Sequence, residues 1–388
     1  MRKYHTRFIA FRVVSIISFS LILCAFLTIF PLAEEKEIYE SQWENSGAQE
    51  LMDSLPDGTK QLLIDLGLDD FSLSSIIALQ PNQALQAIIK TSDEKKGLPY
   101  AVAGSILGVL LLCCLLNGMR KLPESAALST TYKTVGLLAV CTTLFVPLCG
   151  CIRDTCNAME SAFVFMGSFA PVYGAVIGSS GNPAIALSFQ TVVLFVAQVM
   201  TAVLSEIATP LLTVSLGLGM AGGIDDTFPL HSISRFILRI CTWTLGLFCT
   251  VFVGLLSLQT LVGTRADGVA IRAVRFSLAN MVPVIGNAVS EAFGTVQNCL
   301  LVLRTTLGGL GVTVTGIMLL PALLQCGWWA LLLSICSAVA ESLSFPTLTG
   351  MLKLSADVVK ALAGILTCGG LFLIISITVV TMAVNGIA

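Results

Sequence analysis

Charge is scarce in this chain. Asp, Glu, Lys and Arg make up 11% of its 388 residues, where a soluble globular domain carries about 25%. Mean hydropathy is +0.90 and 55% of residues are hydrophobic. A soluble fold has no use for so much apolar surface, whereas a lipid-facing bundle does, so an integral membrane protein is expected. Histidine is scarcer still. His5 lies in the basic N-terminal tip and His231 stands alone in DDTFPLHSISR. No H-E-x-x-H, no G-x-S-x-G and no paired intramembrane aspartates occur, while Glu206, Glu291 and Glu341 are isolated. Nothing therefore supplies a nucleophile with its base or a set of metal ligands, and no enzyme, cofactor or metal is expected. With no Walker motif, any ATP-driven work has to come from a partner. No nucleic acid is expected to bind.

The few charges are unevenly placed. Residues 1–33 hold Arg2, Lys3, Arg7 and Arg12 and no acid, and their uncharged run Val13–Ala33 reads as a signal sequence or an uncleaved N-terminal anchor. Residues 34–97 hold thirteen of the 23 acids against five lysines. This segment is expected to be extracytoplasmic and mostly helical, with a turn at Leu55-Pro56-Asp57-Gly58 and too little mass for more than a marginal core. Residues 98–388 form the membrane domain.

Uncharged runs of about 20 residues mark the spans. The first is Leu98–Asn117 and the second about Thr134–Cys151. The 45 uncharged residues between Glu160 and Glu206 divide near Ser179-Ser180-Gly181-Asn182-Pro183. Ile207–Gly223, with Pro210 and several glycines, suits a broken or re-entrant helix. Ile240–Gly263 is a clean span, and 36 uncharged residues between Arg304 and Glu341 suggest two more around Gln325–Gly327. Ala361–Ile387 closes the chain. The fold expected is all-α: a polytopic transmembrane helical bundle of about eight to nine helices, carrying a small helical extracytoplasmic N-terminal segment. Arg120, Lys121 and Lys133 fall inside, as the positive-inside rule asks. Continued alternation, however, puts Arg265, Arg272 and Arg275 outside, so either the count is off by one or that stretch is no ordinary loop.

Cysteine is plentiful, at thirteen. Most lie in apolar runs, where a thiol behaves as a small hydrophobe. Cys149, Cys151 and Cys156 cluster in CGCIRDTC near an expected polar loop, a chance grouping in a cysteine-tolerant chain rather than a metal or redox site.

The stretch ADGVAIRAVRFSLANMVPVIG, Ala266–Gly286, stands apart. As a helix it places Arg265, Arg272 and Arg275 within about 80° of arc, with Val269 and Phe276 among them. Pro283 and Gly286 then interrupt the backbone inside apolar sequence, which membranes tolerate only against protein or a water-filled cavity. Arg265, Asp267, Arg272, Arg275, Pro283 and Gly286 are thus the candidate polar pathway or subunit contact. The competing reading is an interfacial helix whose arginines meet lipid phosphates.

This stretch resembles the central segment of the stage III sporulation protein AE family of endospore-forming bacteria. The N-terminal signal, the short acidic segment, LPYAVAGSILGVLLL at the first span and the closing VNGIA extend the resemblance over nearly the whole chain. Its most specific part is Gln259–Gly286; residues 34–97 match only in length and character. The resemblance implies a polytopic protein of the mother-cell membrane surrounding the forespore. It implies a place in a channel or feeding-tube complex with the other stage III sporulation membrane proteins encoded alongside it. Through that complex it implies contact with stage II sporulation protein Q, with self-association left open. It carries no catalytic residues. A purely structural scaffold, or a general transporter subunit, is the alternative.

Overall fold

The computed structural model describes Leu51, Leu55, residues 59–61, Ile64 and residues 81–118, 126–224, 230–281 and 286–385. The expected signal or anchor, most of the acidic segment and Pro283 lie outside the described residues. Seven α-helices are described from residue 81 onward: α1 (Pro81–Gly118), α2 (Ala126–Ser179), α3 (Pro183–Ala202), α4 (Thr209–Ile224), α5 (Leu230–Met281), α6 (Gly286–Ser342) and α7 (Pro346–Asn385). A π-helical turn, Val203–Ala208, joins α3 to α4. The all-helical expectation holds, and its physical basis is simple. In hydrocarbon every backbone group must be satisfied within its own segment, which a helix achieves.

Two turns share one design. Asn182 N donates to the Ile177 carbonyl (3.3 Å) and Gly181 N to that of Gly178 (3.1 Å), with Gly181 at φ 87°. That is a Schellman ending, in which a left-handed residue lets the last carbonyls find donors. Pro183 then opens α3, where its missing N–H costs nothing. Between α6 and α7 the pattern repeats: Phe345 N donates to Ala340, Ser344 N to Glu341, and Pro346 follows. Here the left-handed position holds Ser344, at φ 59°. A Cβ in that region costs roughly 1–2 kcal/mol. Ser344→Gly should therefore raise stability by about 1 kcal/mol, read as a higher melting temperature in detergent; an unchanged or lower midpoint counts against this account.

Elsewhere the helices run through the breaks expected of them. α6 passes Gln325–Gly327 without interruption, and Arg153, Asp154 and Glu160 sit inside α2 rather than in a loop. Ile207–Gly223 is neither broken nor re-entrant. Pro210 cannot donate an N–H, and the helix widens ahead of it into the π turn, where Thr209 Oγ1 donates to the Leu204 carbonyl (2.8 Å).

Six helices among the described residues are long and apolar enough to cross a membrane, five of them with stretches of 39–46 residues. At about 1.5 Å per residue these reach about 58–69 Å, roughly twice a hydrocarbon core of about 30 Å. The uncharged runs counted as eight to nine spans are thus carried by fewer, longer helices.

Cross-helix contacts show how the lengths align. Asp267 lies at the start of α3, and Arg304 at the end of α7. Phe163 meets Phe372, and Phe195 meets Phe252. Farther along, Thr155 meets Cys326, Ser215 meets Ser234 and Cys141 meets Met351. Measured along the helices from the Asp267 end, Glu160, Glu206, Lys360 and Arg239 all fall about 28–42 Å away. They form a polar belt. The bundle therefore has two stacked apolar layers, one on each side of the belt, with outward Leu187, Phe195 and Val251 in the first and Leu111, Val135 and Val146 in the second.

Candidate functional site

The stretch holding the arginines is not a loop. It is the last third of α5, an uninterrupted helix from Leu230 to Met281. Helical periodicity splits its charges between two faces. Asp267 is buried, at 3% exposure, while Arg265 and Arg272 point outward among Val262, Val269 and Phe276. The side chain of Arg275 lies outside the described residues, as does Pro283; Gly286 is the first residue of α6. The structure thus separates the aspartate from the arginines it was grouped with.

Asp267 has a defined task. Its Oδ1 accepts from Ala184 N (3.1 Å) and its Oδ2 from Ile185 N (3.0 Å). These are two of the first N–H groups of α3, which have no partner within that helix. The residue at the cap position, Asn182, makes no side-chain cap bond; its Nδ2 donates to the Ser180 carbonyl instead (3.2 Å). A carboxylate from α5 replaces the local cap, adding charge-assisted bonds and a favourable interaction with the helix dipole. Gly263, one turn earlier, makes this approach feasible. A Cβ there would stand 3.2 Å from both the Cα and the N of Ile185.

A second buried charge mirrors it. Arg304 on α6 is 3% exposed, and its Nη2 donates to the Val384 carbonyl at the end of α7 (3.3 Å). A cation there complements the negative end of the helix dipole. Beside it the Tyr173 hydroxyl bonds Thr381 Oγ1 at 2.5 Å, and Nε of Arg304 has no acceptor among the described residues. Sequence reasoning used Arg304 only as the edge of an uncharged run. The available signal was the residue itself, a lone cation between apolar stretches. Arg304→Met should change stability by no more than about 1 kcal/mol, because an apolar side chain of similar length removes the desolvated charge along with its bond. Arg304→Ala should cost about 2–4 kcal/mol through the cavity it leaves. Thermal unfolding of both variants checks this, and a Met variant as unstable as the Ala variant would show that the charge holds the helices together.

The interior is solid. Phe165, Phe169 and Tyr173 stack in sequence along α2, with centroids 5.8 and 5.2 Å apart, and Phe189 meets Tyr173 edge-on. Trp329, Phe163 and Phe372 are fully buried as well. The cysteines of CGCIRDTC sit mid-helix on α2: Cys149 is half-buried, and Cys151 and Cys156 are buried. Among the described residues all cysteines are free, and no group of three or more His, Cys, Asp or Glu could hold a metal ion.

The model of one protein family, stage III sporulation protein AE, matches residues 70–384. A curated relative, stage III sporulation protein AE of Bacillus subtilis (strain 168), is 26% identical over 271 residues, covering 68% of this chain. The matched region spans 63% of that relative's length. No solved structure matches the chain. The family match runs from residue 70 to within one residue of the end of α7, so it takes in α1 through α6, nearly all of α7 and the α5 stretch that caps α3: the chain belongs to the stage III sporulation protein AE family.

Proposed function

We propose that this chain is a membrane subunit of the complex that joins the mother cell to the engulfed forespore, where it helps form or scaffold a transport conduit. Its place is the mother-cell membrane around the forespore. Its partners are the other stage III sporulation membrane proteins encoded with it and, across the intermembrane space, stage II sporulation protein Q. The observation that carries this reading is the family match over residues 70–384 on a bundle of six membrane-length helices. The fully buried aromatic side chains of the interior support a conduit formed between chains rather than through one.

Deletion of this chain is expected to stop spore maturation after engulfment while vegetative growth continues at the normal rate. A growth defect in non-sporulating cells would point instead to a general transporter. The scaffold reading is favoured by the same filled interior, and labelling of single cysteines with a water-soluble reagent separates the two. In a conduit subunit, some outward positions between 240 and 276 become accessible within the assembled complex. In a scaffold they remain protected.

A further inference from the structure

We propose that the outward face of α5 is an interface with a second copy of this chain, docked head to tail on the flank its neighbour forms from α2 and the π turn. The face is long and continuous. Trp243, Leu247, Val251, Leu258 and Val262 are exposed in line along it, and Val269 extends the line past Arg265. Only 28% of the most apolar window of α5 is buried, against 61% for α6 and 56% for α7, so α5 is a peripheral helix whose outer side needs a covering.

Lipid covers only part of it. Exposed apolar residues run on α5 from Ile233 to Val269, about 54 Å along the helix, whereas the hydrocarbon core is about 30 Å thick. Even a tilt of about 40° leaves such a helix protruding. Apolar surface beyond the bilayer is an aggregation hazard unless protein covers it.

The charges say which protein. Arg235 and Arg239 are exposed on α5, and Asp154 and Glu206 are exposed on α2 and the π turn. None of the four joins an ion pair among the described residues. α5 packs on α3, α4, α6 and α7, while α2 packs on α1, α3, α4, α6 and α7, so the two outward faces belong to different flanks. Copies inserted in one membrane share one orientation, and rotation about the membrane normal preserves depth. Complementary charges on neighbours must therefore lie within side-chain reach in depth. From the Asp267 end, Glu206 and Asp154 lie about 35–38 Å along and Arg239 about 42 Å, an offset of about 4–8 Å that a long arginine side chain spans, with Arg235 farther along at about 48 Å. Arg153, beside Asp154, offsets one of the two exposed acids and leaves the flank with an excess of one negative charge. A two-fold contact between two α5 faces would instead set arginine against arginine. A head-to-tail contact repeats, and it closes into a ring when the rotation divides a full turn. This inference holds whether or not the assembly conducts, so it goes beyond the functional reading above.

The experiment places p-benzoylphenylalanine at Trp243 or Leu258 in full-length chains carrying two different tags, coexpressed in sporulating cells. Irradiation of native membranes should yield an adduct of twice the chain mass that contains both tags. Mass spectrometry should map it to α2 or to Val203–Ala208 of the other copy. The same probe at Leu331, on another flank, should not give that adduct. Arg235→Glu/Arg239→Glu should reduce the yield about tenfold or more, because like charges then face each other. Supplying Asp154→Arg/Glu206→Arg in the other tagged copy should restore it. That rescue in trans distinguishes a lost contact from a misfolded variant. Adducts only to lipid, adducts to a different protein, α5–α5 adducts, or no rescue by the reversed pair would each overturn the proposal.

Discussion

Replacing Asp267 with alanine is expected to lower the stability of the bundle by about 3–5 kcal/mol, since each hydrogen bond to a charged acceptor contributes about 1.5–3 kcal/mol. Two buried N–H groups, of Ala184 and Ile185, lose their acceptor together, and water has no path to a carboxylate only 3% exposed. Asn182 does not already serve, since its Oδ1 is buried without a partner among the described residues and makes no cap bond to these groups. Asp267→Asn should fall between, because one amide oxygen still accepts while the NH2 group faces a donor. Asp267→Glu should fare little better than alanine, since the contact of Gly263 with the backbone of Ile185 leaves no room for another methylene. Thermal unfolding in detergent, together with protease cleavage at Ser179–Asn182, reads the effect. An alanine variant within about 1 kcal/mol of the parent would show that the two bonds contribute little beyond what water supplies to an exposed cap.

The second large effect is expected at Gly311. A Cβ added there would stand 2.6 Å from Cζ of Phe169 and 3.0 Å from Cδ1 of Ile377. Phe169 cannot swing aside, because Phe165 and Tyr173 stack on its two sides. Gly311→Ala should therefore cost about 1–3 kcal/mol, the usual range for overpacking. Gly311→Leu adds four carbons at a point where one already collides, and it should prevent α6 from seating between α2 and α7. The expected result is a chain that inserts but never becomes protease-resistant. Wild-type resistance of the leucine variant would mean that the three helices can separate at this level without loss.

Much of the fold was legible along the chain, for reasons that are local. Helix follows from apolar runs that must satisfy their own backbone, and the turn at Ser179–Pro183 follows from Gly181 and Pro183. The extent of the helices was not legible. Arg153, Asp154 and Glu160 look like the end of a span because a charge normally marks the water boundary. Here they interrupt nothing, since the belt they join lies partway along helices that continue beyond it. The candidate site was half legible. Arg265, Asp267 and Arg272 stand out as charges in apolar sequence, and a helical projection already places the aspartate away from the arginines. That Asp267 caps a helix 82 and 83 residues earlier has no local signature, because any helix start could have received it. Arg304 is illegible for the opposite reason: a charge beside an uncharged run reads as its edge, whereas its environment is the end of another helix.

α2 has one further consequence. Its 54 residues run without a break, about 81 Å from end to end, which makes it a strut that touches both apolar layers and the belt between them. On a rod of that length, a tilt of about one degree at Ser179 displaces the Ala126 end by about 1.4 Å. A small rearrangement at the capped start of α3 therefore arrives at the opposite end of the protein as a movement of atomic size, with no signal passed between side chains. Pro147 and Pro171 are the two points where a missing backbone bond lets the rod give, so stiffness along α2 is set by those prolines more than by anything packed around them.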